Sequence, residues 1–179
     1  MKSSKTKVRV STPNDVFKIR EIQRRTWIET YPNVEAGINL EDIENKFKED
    51  KTLAGRRKIE GQKKRYKNKG KRTWVAECDK EMVGFCVASR EKEEGRIKAI
   101  YVLPEHQGKG IGGELIKKAI EWLGDGKQIY INVVEYNLKA INFYEKHGFS
   151  ETGRKGVFDS AAVLPSGKNM LEIELVKYL

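Results

Sequence analysis

Cysteine and histidine are scarce in this sequence, with two residues of each among 179. Cys78 and Cys86 are eight positions apart and form no Cys-x-x-Cys pair, and both histidines lie far from them. A zinc site needs three or four ligands in paired spacings, so we expect no metal. We interpret both cysteines as small buried hydrophobes in a reducing compartment, because a hairpin turn at Asp79 would place Cys86 opposite residues near Thr73.

Long apolar runs are also absent, since no stretch approaches the ~18 consecutive apolar residues of a transmembrane helix. The first five residues, Met-Lys-Ser-Ser-Lys, precede no apolar segment of the kind that a secretory signal requires. We therefore expect no membrane association and a cytoplasmic protein. A chain of 179 residues can bury a core of its own, and we expect one domain over residues 1–179.

Acidic residues are outnumbered, and the net charge is +10, but the excess is local. Residues 55–72 contain ten lysines and arginines and one acid, Glu60, so the remainder of the chain is nearly neutral. This basic segment has three open interpretations: a solvated face, a surface that steers a phosphorylated ligand, or a contact with nucleic acid. Tyr66 is its only aromatic residue, so it offers few stacking surfaces for bases.

The hydrophobic periodicity predicts an α/β (α+β) fold with the order β-α-α-β-β-β-α-β-α-β-β. Helices are predicted over residues 14–29, 110–123 and 138–147, and over 40–66 in pieces broken at Gly55 and Gly61. A helix stop is predicted at residues 124–126. Strands are predicted over residues 7–11, 73–78, 82–89, 96–103, 128–134, 149–153 and 170–176.

A glycine-rich loop between the strand at 96–103 and the helix at 110–123 is the most informative segment. Residues 107–113 read Gln-Gly-Lys-Gly-Ile-Gly-Gly. Glycines permit close backbone approach, and N–H groups at a helix N-terminus attract anions. Residues 108–113 match G-x-G-x-x-G, but residues 104–107 separate the strand from the first glycine, and the acid expected ~20 residues later is missing. The Lys-[Ser/Thr] ending of a nucleoside-triphosphate loop is absent too.

Two motifs, taken in order, carry a family resemblance. Residues 107–112 fit Q/R-x-x-G-x-G/A, and residues 137–149 fit N-x-x-A-x-x-F-Y-x-x-x-G-F. With the elements between them, they resemble the GNAT superfamily of N-acetyltransferases, most strongly over residues 74–149. The resemblance implies a mixed, mostly antiparallel sheet of about seven strands flanked by helices. It also implies acetyl-CoA as the cosubstrate.

The resemblance implies which residues bind acetyl-CoA. The backbone of the strand at 96–103 would pair with the pantetheine arm, the N–H groups of residues 107–112 would hold the pyrophosphate, and Asn137 would contact the arm. Asn137 has a second interpretation as a helix N-cap. Gly110 and Gly112 are expected to need a φ that β-branched residues cannot adopt. The implied cofactor-binding residues are Ile100, Tyr101, Val102, Gln107, Gly108, Lys109, Gly110, Ile111, Gly112, Gly113, Asn137 and Tyr144.

Tyr144 resembles the residue that serves many family members as general acid. A phenol with a pKa near ~10 is protonated at neutral pH and can protonate a departing thiolate. The alternative is an aromatic side chain packed in the core beside Phe143. Many relatives carry a glutamate base where this sequence has Arg96, so the base stays open. A water chain to another acid is one candidate, and the acids considered, which are otherwise solvated surface groups, are Glu94, Glu77 and Glu135.

The end of the first helix resembles the Trp-x-x-Thr-Tyr element of small-molecule GNAT enzymes, including polyamine acetyltransferases. Trp27 and Tyr31 would form an acceptor slot and Glu29 would hold an ammonium; otherwise this is a helix end anchored in the core. The implied reaction is direct acetyl transfer to the primary amine of a small molecule, with a polyamine favoured. Open alternatives are a protein N-terminus or lysine as acceptor, and a non-catalytic CoA-sensing or RNA-associated module. A homodimer is also open.

Overall fold

The computed structural model describes residues 6–91, 93–124 and 128–179, in which we find seven strands and five α-helices. The strands are β1 (Thr6–Val10), β2 (Lys71–Cys78), β3 (Glu81–Arg90), β4 (Glu94–Val102), β5 (Gln128–Val134), β6 (Ser150–Gly156) and β7 (Glu172–Tyr178). The helices are α1 (Val16–Thr30), α2 (Leu40–Phe47), α3 (Leu53–Gly61), α4 (Ile111–Leu123) and α5 (Leu138–Lys146).

All seven strands form one sheet with the order β1-β2-β3-β4-β5-β7-β6. Every neighbouring pair is antiparallel except β4 and β5, which are parallel. The fold class predicted from the sequence is therefore confirmed. The hairpin β2–β3 turns at Asp79 and Lys80, whose φ angles are 51° and 72°. It pairs Cys86 with Trp74, as expected from the turn.

The sheet has a helix layer on each face. Trp74 contacts Trp122 of α4 on one face, with ring centroids 5.7 Å apart. On the opposite face Tyr101 of β4 reaches Tyr31, at the end of α1. Buried leucine and isoleucine of α4 fill the first layer, and Trp27 of α1 packs with residues of α2 in the second. Each functional side chain of the central strands therefore faces one layer or the other.

The helical segment from residue 40 differs from its prediction. A 3₁₀ turn (Lys48–Lys51) separates α2 from α3, so the break expected at Gly55 is wrong. Gly55 lies inside α3, where a Cβ atom would lie 1.8 Å from the carbonyl oxygen of Glu49. Its role is the close packing of α3 on this turn. Gly61 ends α3 as expected.

Two other predictions fall partly or wholly on residues outside the described ranges. α4 ends at Leu123, before Gly124, whose φ is +87°. The rest of the predicted helix stop, residues 125 and 126, lies outside the described residues. Residues 1–5, on which the expectation about a secretory signal rests, lie outside them as well.

Candidate active site

The sheet opens between β4 and β5. These strands pair only from Glu94↔Gln128 to Arg96↔Tyr130, and beyond this point they diverge. The register between β3 and β4 shifts at the same place: Val87 pairs with residue 99, but the residue after it, Ala88, pairs with residue 97. Residue 98 is thus the extra residue of a β-bulge, which bends the strand. The edge of β4 from residue 97 to Val102 faces an opening in the sheet, where an extended ligand can pair with it.

The three residues of β4 expected at the cofactor lie on both sides of the sheet. Ile100 pairs with Cys86 and Val102 with Gly84, so both face the α4 layer. Tyr101 faces the α1 layer, where its ring contacts Phe85 at a centroid distance of 5.5 Å. Because these side chains point to opposite faces, the part of β4 that borders the opening is its backbone.

The glycine-rich loop ends at the N-terminus of α4, beside the opening. Gly108 and Gly110 have φ angles of +75° and +81°, so the loop has a backbone conformation that favours glycine. Within the described part of the chain, the backbone N–H groups of residues 108–113 donate to no acceptor. A row of unpaired N–H groups at a helix N-terminus attracts a phosphate, and the helix dipole adds to the attraction. The loop therefore fits an anion such as a pyrophosphate.

Gln107 has a different role from the one expected for its backbone. Its N–H donates to the carbonyl oxygen of Pro104 at 3.1 Å, so this group is not available to a pyrophosphate, and that part of the prediction is corrected. Its side-chain Nε2 donates to the carbonyl oxygen of Val102 at 2.8 Å, and Lys139 donates to its Oε1. Gln107 thus fastens the loop to the end of β4 and to the start of α5. Lys139, which the sequence analysis missed, and Lys109 add positive charge beside the loop.

Gly112 is constrained by packing and has no unusual φ, contrary to expectation. A Cβ atom at this position would lie 3.2 Å from Cε2 of the Phe143 ring, so the ring takes the place that a side chain would need. The ring also contacts Tyr144, with centroids 5.2 Å apart. The two motifs of the family resemblance are therefore in direct contact.

The second motif begins with Asn137, whose side chain accepts a hydrogen bond from the N–H of Ala140 at 3.2 Å. The N-cap interpretation is thus confirmed, while a contact with a cofactor stays a prediction. Tyr144 is buried in the core cluster. Burial raises the pKa of Tyr144 well above its ordinary value, with a smaller contribution from Cys86 and Tyr101. The phenol is therefore protonated at neutral pH, and no residue in the described ranges makes a hydrogen bond to its hydroxyl.

Trp27 and Tyr31 come together with Tyr101 on the α1 side of β4. The Tyr31 and Tyr101 hydroxyls are 3.3 Å apart, and the Trp27 and Tyr31 rings meet edge to face at 4.8 Å. The Trp27 Nε1 is buried without a hydrogen bond of normal geometry, although it lies close enough to Tyr101 to lower the pKa of that phenol. Burial outweighs this and raises the Tyr101 pKa. Glu29 is exposed and is not part of this cluster.

The acids considered as a base all lie in ion pairs. Arg96 pairs with Glu94 and also stacks over the Tyr130 ring at 5.2 Å. Glu77 pairs with Arg9 at the far edge of the sheet, 2.7 Å away. The third acid, Glu135, pairs with a lysine, Lys155. None of them stands free at the opening.

Two residues of the α1 face that sequence reasoning missed line a cavity of about 30 Å³ where β4 and β5 begin to diverge. They are Asn132 of β5 and Glu172 of β7. The Oδ1 atom of Asn132 is buried without a hydrogen bond. Burial raises the pKa of the Glu172 carboxyl, although two backbone N–H groups lower it. The alternation Glu-Ile-Glu in an otherwise buried strand is the one signal in the sequence that could have indicated this site.

Cys86 is not a nucleophile, and one end of the basic segment lies away from the anion-binding loop. Both cysteines are buried and free, and burial raises the pKa of the Cys86 thiol, so it does not form a thiolate nucleophile. Arg72, at the end of the basic segment, lies over Trp122 at 5.1 Å. Trp122 is at the C-terminal end of α4, whereas the anion-binding loop is at its N-terminal end. This end of the segment is therefore far from the loop.

Among the described residues, no group of three or more His, Cys, Asp or Glu side chains is arranged to hold a metal. No helix in the described ranges is both long and apolar enough to cross a membrane.

A sheet that opens between a bulged strand and a parallel neighbour, with an anion-binding loop at the opening, defines the N-acetyltransferase fold. The chain belongs to the Acetyltransferase (GNAT) family, whose model matches residues 19–149. Over its whole length it also resembles the PaiA N-acetyltransferase of Thermoplasma acidophilum, solved in complex with coenzyme A. The TM-score is 0.71 at 19% identity, and the match covers 98% of this chain and 99% of that one.

Curated relatives match over shorter stretches. The chain is 38% identical over 93 residues to the peptidyl-lysine N-acetyltransferase YjaB of Salmonella typhimurium. This match covers 51% of this chain and 59% of that protein. It is 40% identical over 57 residues to the spermidine N(1)-acetyltransferase of Vibrio cholerae. This match covers 30% of this chain and 33% of that protein. The chain thus spans less than two thirds of these relatives.

Proposed function

We propose that this protein transfers the acetyl group of acetyl-CoA directly to the primary amine of a small molecule, with a polyamine as the favoured acceptor. The observation that carries the proposal is the row of unpaired N–H groups at residues 108–113 beside the opening between β4 and β5. A pyrophosphate on this row leaves the pantetheine arm to extend along the backbone of Ile100 and Val102. Family membership supports the same reaction.

Tyr144 is the general acid in this proposal. The amine nitrogen attacks the thioester carbonyl carbon, the C–S bond breaks, and the Tyr144 hydroxyl gives its proton to the departing thiolate. The buried phenol stays protonated at neutral pH, which suits this role. Asn137 fixes the first turn of the helix that carries Tyr144, and we expect its side chain to contact the pantetheine arm as well.

The acceptor enters from the α1 side, where Trp27, Tyr31 and Tyr101 form an aromatic wall. Two carboxylates, those of Asp159 and Glu172, lie close enough to this wall to raise the Tyr101 pKa. Aromatic faces together with carboxylates suit a cationic amine. The spermidine acetyltransferase among the relatives is consistent with a polyamine.

A peptidyl lysine is the second candidate acceptor, and the match to YjaB favours it. A panel of amines distinguishes the two. The chain is assayed with acetyl-CoA and spermidine, spermine, a lysine peptide or a peptide with a free N-terminus, with and without RNA. We expect the highest kcat/KM with a polyamine. A higher kcat/KM with the lysine peptide would overturn the polyamine assignment, and transfer to no amine, with RNA bound, would favour the non-catalytic module.

A further inference from the structure

Glu172 is a buried carboxylate whose orientation is fixed by the backbone. It lies on β7 opposite Val134 of β5, and only 7% of the residue is exposed. The N–H groups of Phe158 and Asp159 each donate to its Oε2 at 3.0 Å. Two donors on one oxygen hold the carboxylate in place and aim the second oxygen elsewhere.

The second oxygen of Glu172 is the free one. Its Oε1 has no hydrogen bond within the described ranges, and the residue lines the cavity where β4 and β5 diverge. The buried Oδ1 of Asn132, which lines the same cavity, is also without a partner. The buried Asn132 oxygen calls for a donor, because an unsatisfied buried acceptor is costly, and the free Glu172 oxygen is a charged acceptor in the same cavity. An amine or ammonium group is such a donor.

On the basis of the proposed function, we propose that Glu172 is the base that deprotonates the acceptor ammonium. The Glu172 Oε1 takes one proton from the ammonium group, and the neutral nitrogen then forms the N–C bond while the C–S bond breaks. The thiolate takes the Tyr144 proton, and the proton that the new amide nitrogen loses returns to Tyr144 through solvent. Glu172 afterwards gives its proton to solvent, so the residues end as they began.

Several titratable groups face Glu172 from the neighbouring elements. Burial is the main cause of the raised Glu172 pKa, and the charge of Asp159, in the segment before β7, raises it further. Tyr101 lies near enough that Glu172 in turn raises the Tyr101 pKa. The other titratable groups that line the cavity are Arg96 and Lys98 of β4 and Tyr130 of β5. A carboxylate whose pKa is raised toward neutrality is a better proton acceptor than an ordinary glutamate.

The neighbouring acid on β7 offers a matched control. Glu174 is also buried and faces the same side of the sheet, but both of its oxygens are within 3.3 Å of Arg154 Nη1, and Thr152 donates to its Oε2. It has therefore no free oxygen for an acceptor.

The test is the pH profile of kcat/KM for spermidine in the unaltered chain, in Glu172→Gln and in Glu174→Gln. Glutamine keeps an oxygen for the two N–H donors but cannot take a proton. The unaltered chain and Glu174→Gln should show a plateau between the pKa of Glu172 and that of the amine. Glu172→Gln should fall ~10²–10³-fold at pH 7 and rise about tenfold per pH unit toward the amine pKa, because only neutral amine then reacts.

Each outcome decides the assignment. Profiles of Glu172→Gln and the unaltered chain that run parallel at all pH values would show that Glu172 is structural, and would leave the proposed function standing. If Glu172→Gln does not fold in a thermal melt, the profile of the unaltered chain decides alone: a plateau supports the assignment, and a continuous rise to the amine pKa contradicts it. No transfer to any amine by the unaltered chain would overturn the proposed function and this inference with it.

Discussion

Gly112 and Phe143 are in direct contact, and this contact joins the anion-binding loop to the helix that carries Tyr144. A Cβ atom at residue 112 would lie 3.2 Å from Phe143 Cε2 and 3.3 Å from its Cζ. At the next residue, Gly113, a Cβ atom would lie 3.5 Å from the Nε2 atom of His147, which is an ordinary van der Waals contact. The two glycines of the first turn of α4 therefore differ in what they tolerate.

Replacing Gly112 by valine should force the two helices apart. We expect the free energy of unfolding to fall by about 1–3 kcal/mol, the usual cost of overpacking. Gly113→Ala is the control, and it should not destabilise the protein, since alanine is the better helix former. Urea unfolding followed by circular dichroism measures both. Equal stability of Gly112→Val and the unaltered chain would contradict the packing argument.

Gly110→Val should weaken the binding of acetyl-CoA by more than an order of magnitude, because valine cannot adopt a φ of +81° without strain. The loop would then turn its N–H groups away from the pyrophosphate. Gly37→Val is the control, since Gly37 has a φ of +68° in a turn outside the proposed site. Calorimetry should show normal affinity for this control. Normal affinity of a folded Gly110→Val protein would contradict the assignment of the loop as the pyrophosphate-binding site.

Tyr144→Phe keeps the buried ring but removes the hydroxyl proton. If Tyr144 protonates the thiolate, kcat should fall ~10²–10⁴-fold, and the KM for acetyl-CoA should change little, because the interaction belongs to the transition state. Tyr66→Phe is the control, since its hydroxyl lies 3.0 Å from that of Ser11, outside the site. Steady-state kinetics at saturating amine give both values. Near-normal turnover in a folded Tyr144→Phe protein would make this tyrosine purely structural.

Asp15 should stabilise the fold in a pH-dependent way. The Arg9 guanidinium binds its carboxylate with two hydrogen bonds of 2.8 and 3.0 Å and lowers its pKa. A lowered folded-state pKa gives stability that is present above the unfolded pKa of ~3.9 and lost as pH falls through the folded value. Asp15→Asn should therefore cost about 1–2 kcal/mol at pH 7, and this cost should shrink as the pH is lowered toward 2.

Glu21→Gln is the control for this prediction, since Glu21 is an exposed partner of Lys18. Exposed pairs contribute little, so denaturant unfolding should give it the stability of the unaltered chain at both pH values. A cost of Asp15→Asn that is the same at low and neutral pH would show that the ion pair is not its cause.

Much of the fold could be predicted because its signals are local. The apolar run of β5 was predicted with its observed bounds, and the helix cap at Asn137 and the hairpin turn at Asp79 depend on neighbouring residues alone. The position of Gly55 could not be interpreted correctly, because the contact that requires a glycine is with the carbonyl of Glu49 in a preceding turn.

The site divides in the same way. The loop glycines and Tyr144 stand in contiguous motifs, so the sequence indicates them. Glu172 and Asn132 meet only because β7 pairs with β5 in one register and β5 diverges from β4. The bulge at residue 98 and the bond from Lys139 to Gln107 depend on the same long-range arrangement. The alternation Glu-Ile-Glu in β7 marks Glu172 as unusual, but its partners in the site do not follow from local pattern.

The most direct test of the account is the turnover of acetyl-CoA with spermidine. Thiol release is followed in solution and the acetylated amine is identified by mass spectrometry. We predict one thiol for each acetylated amine, and little release when the amine is left out, because the transfer is direct and water is a poor acceptor. Binding of acetyl-CoA without amine-dependent thiol release, for spermidine and for every other amine of the panel, would contradict the assignment of this protein as an N-acetyltransferase.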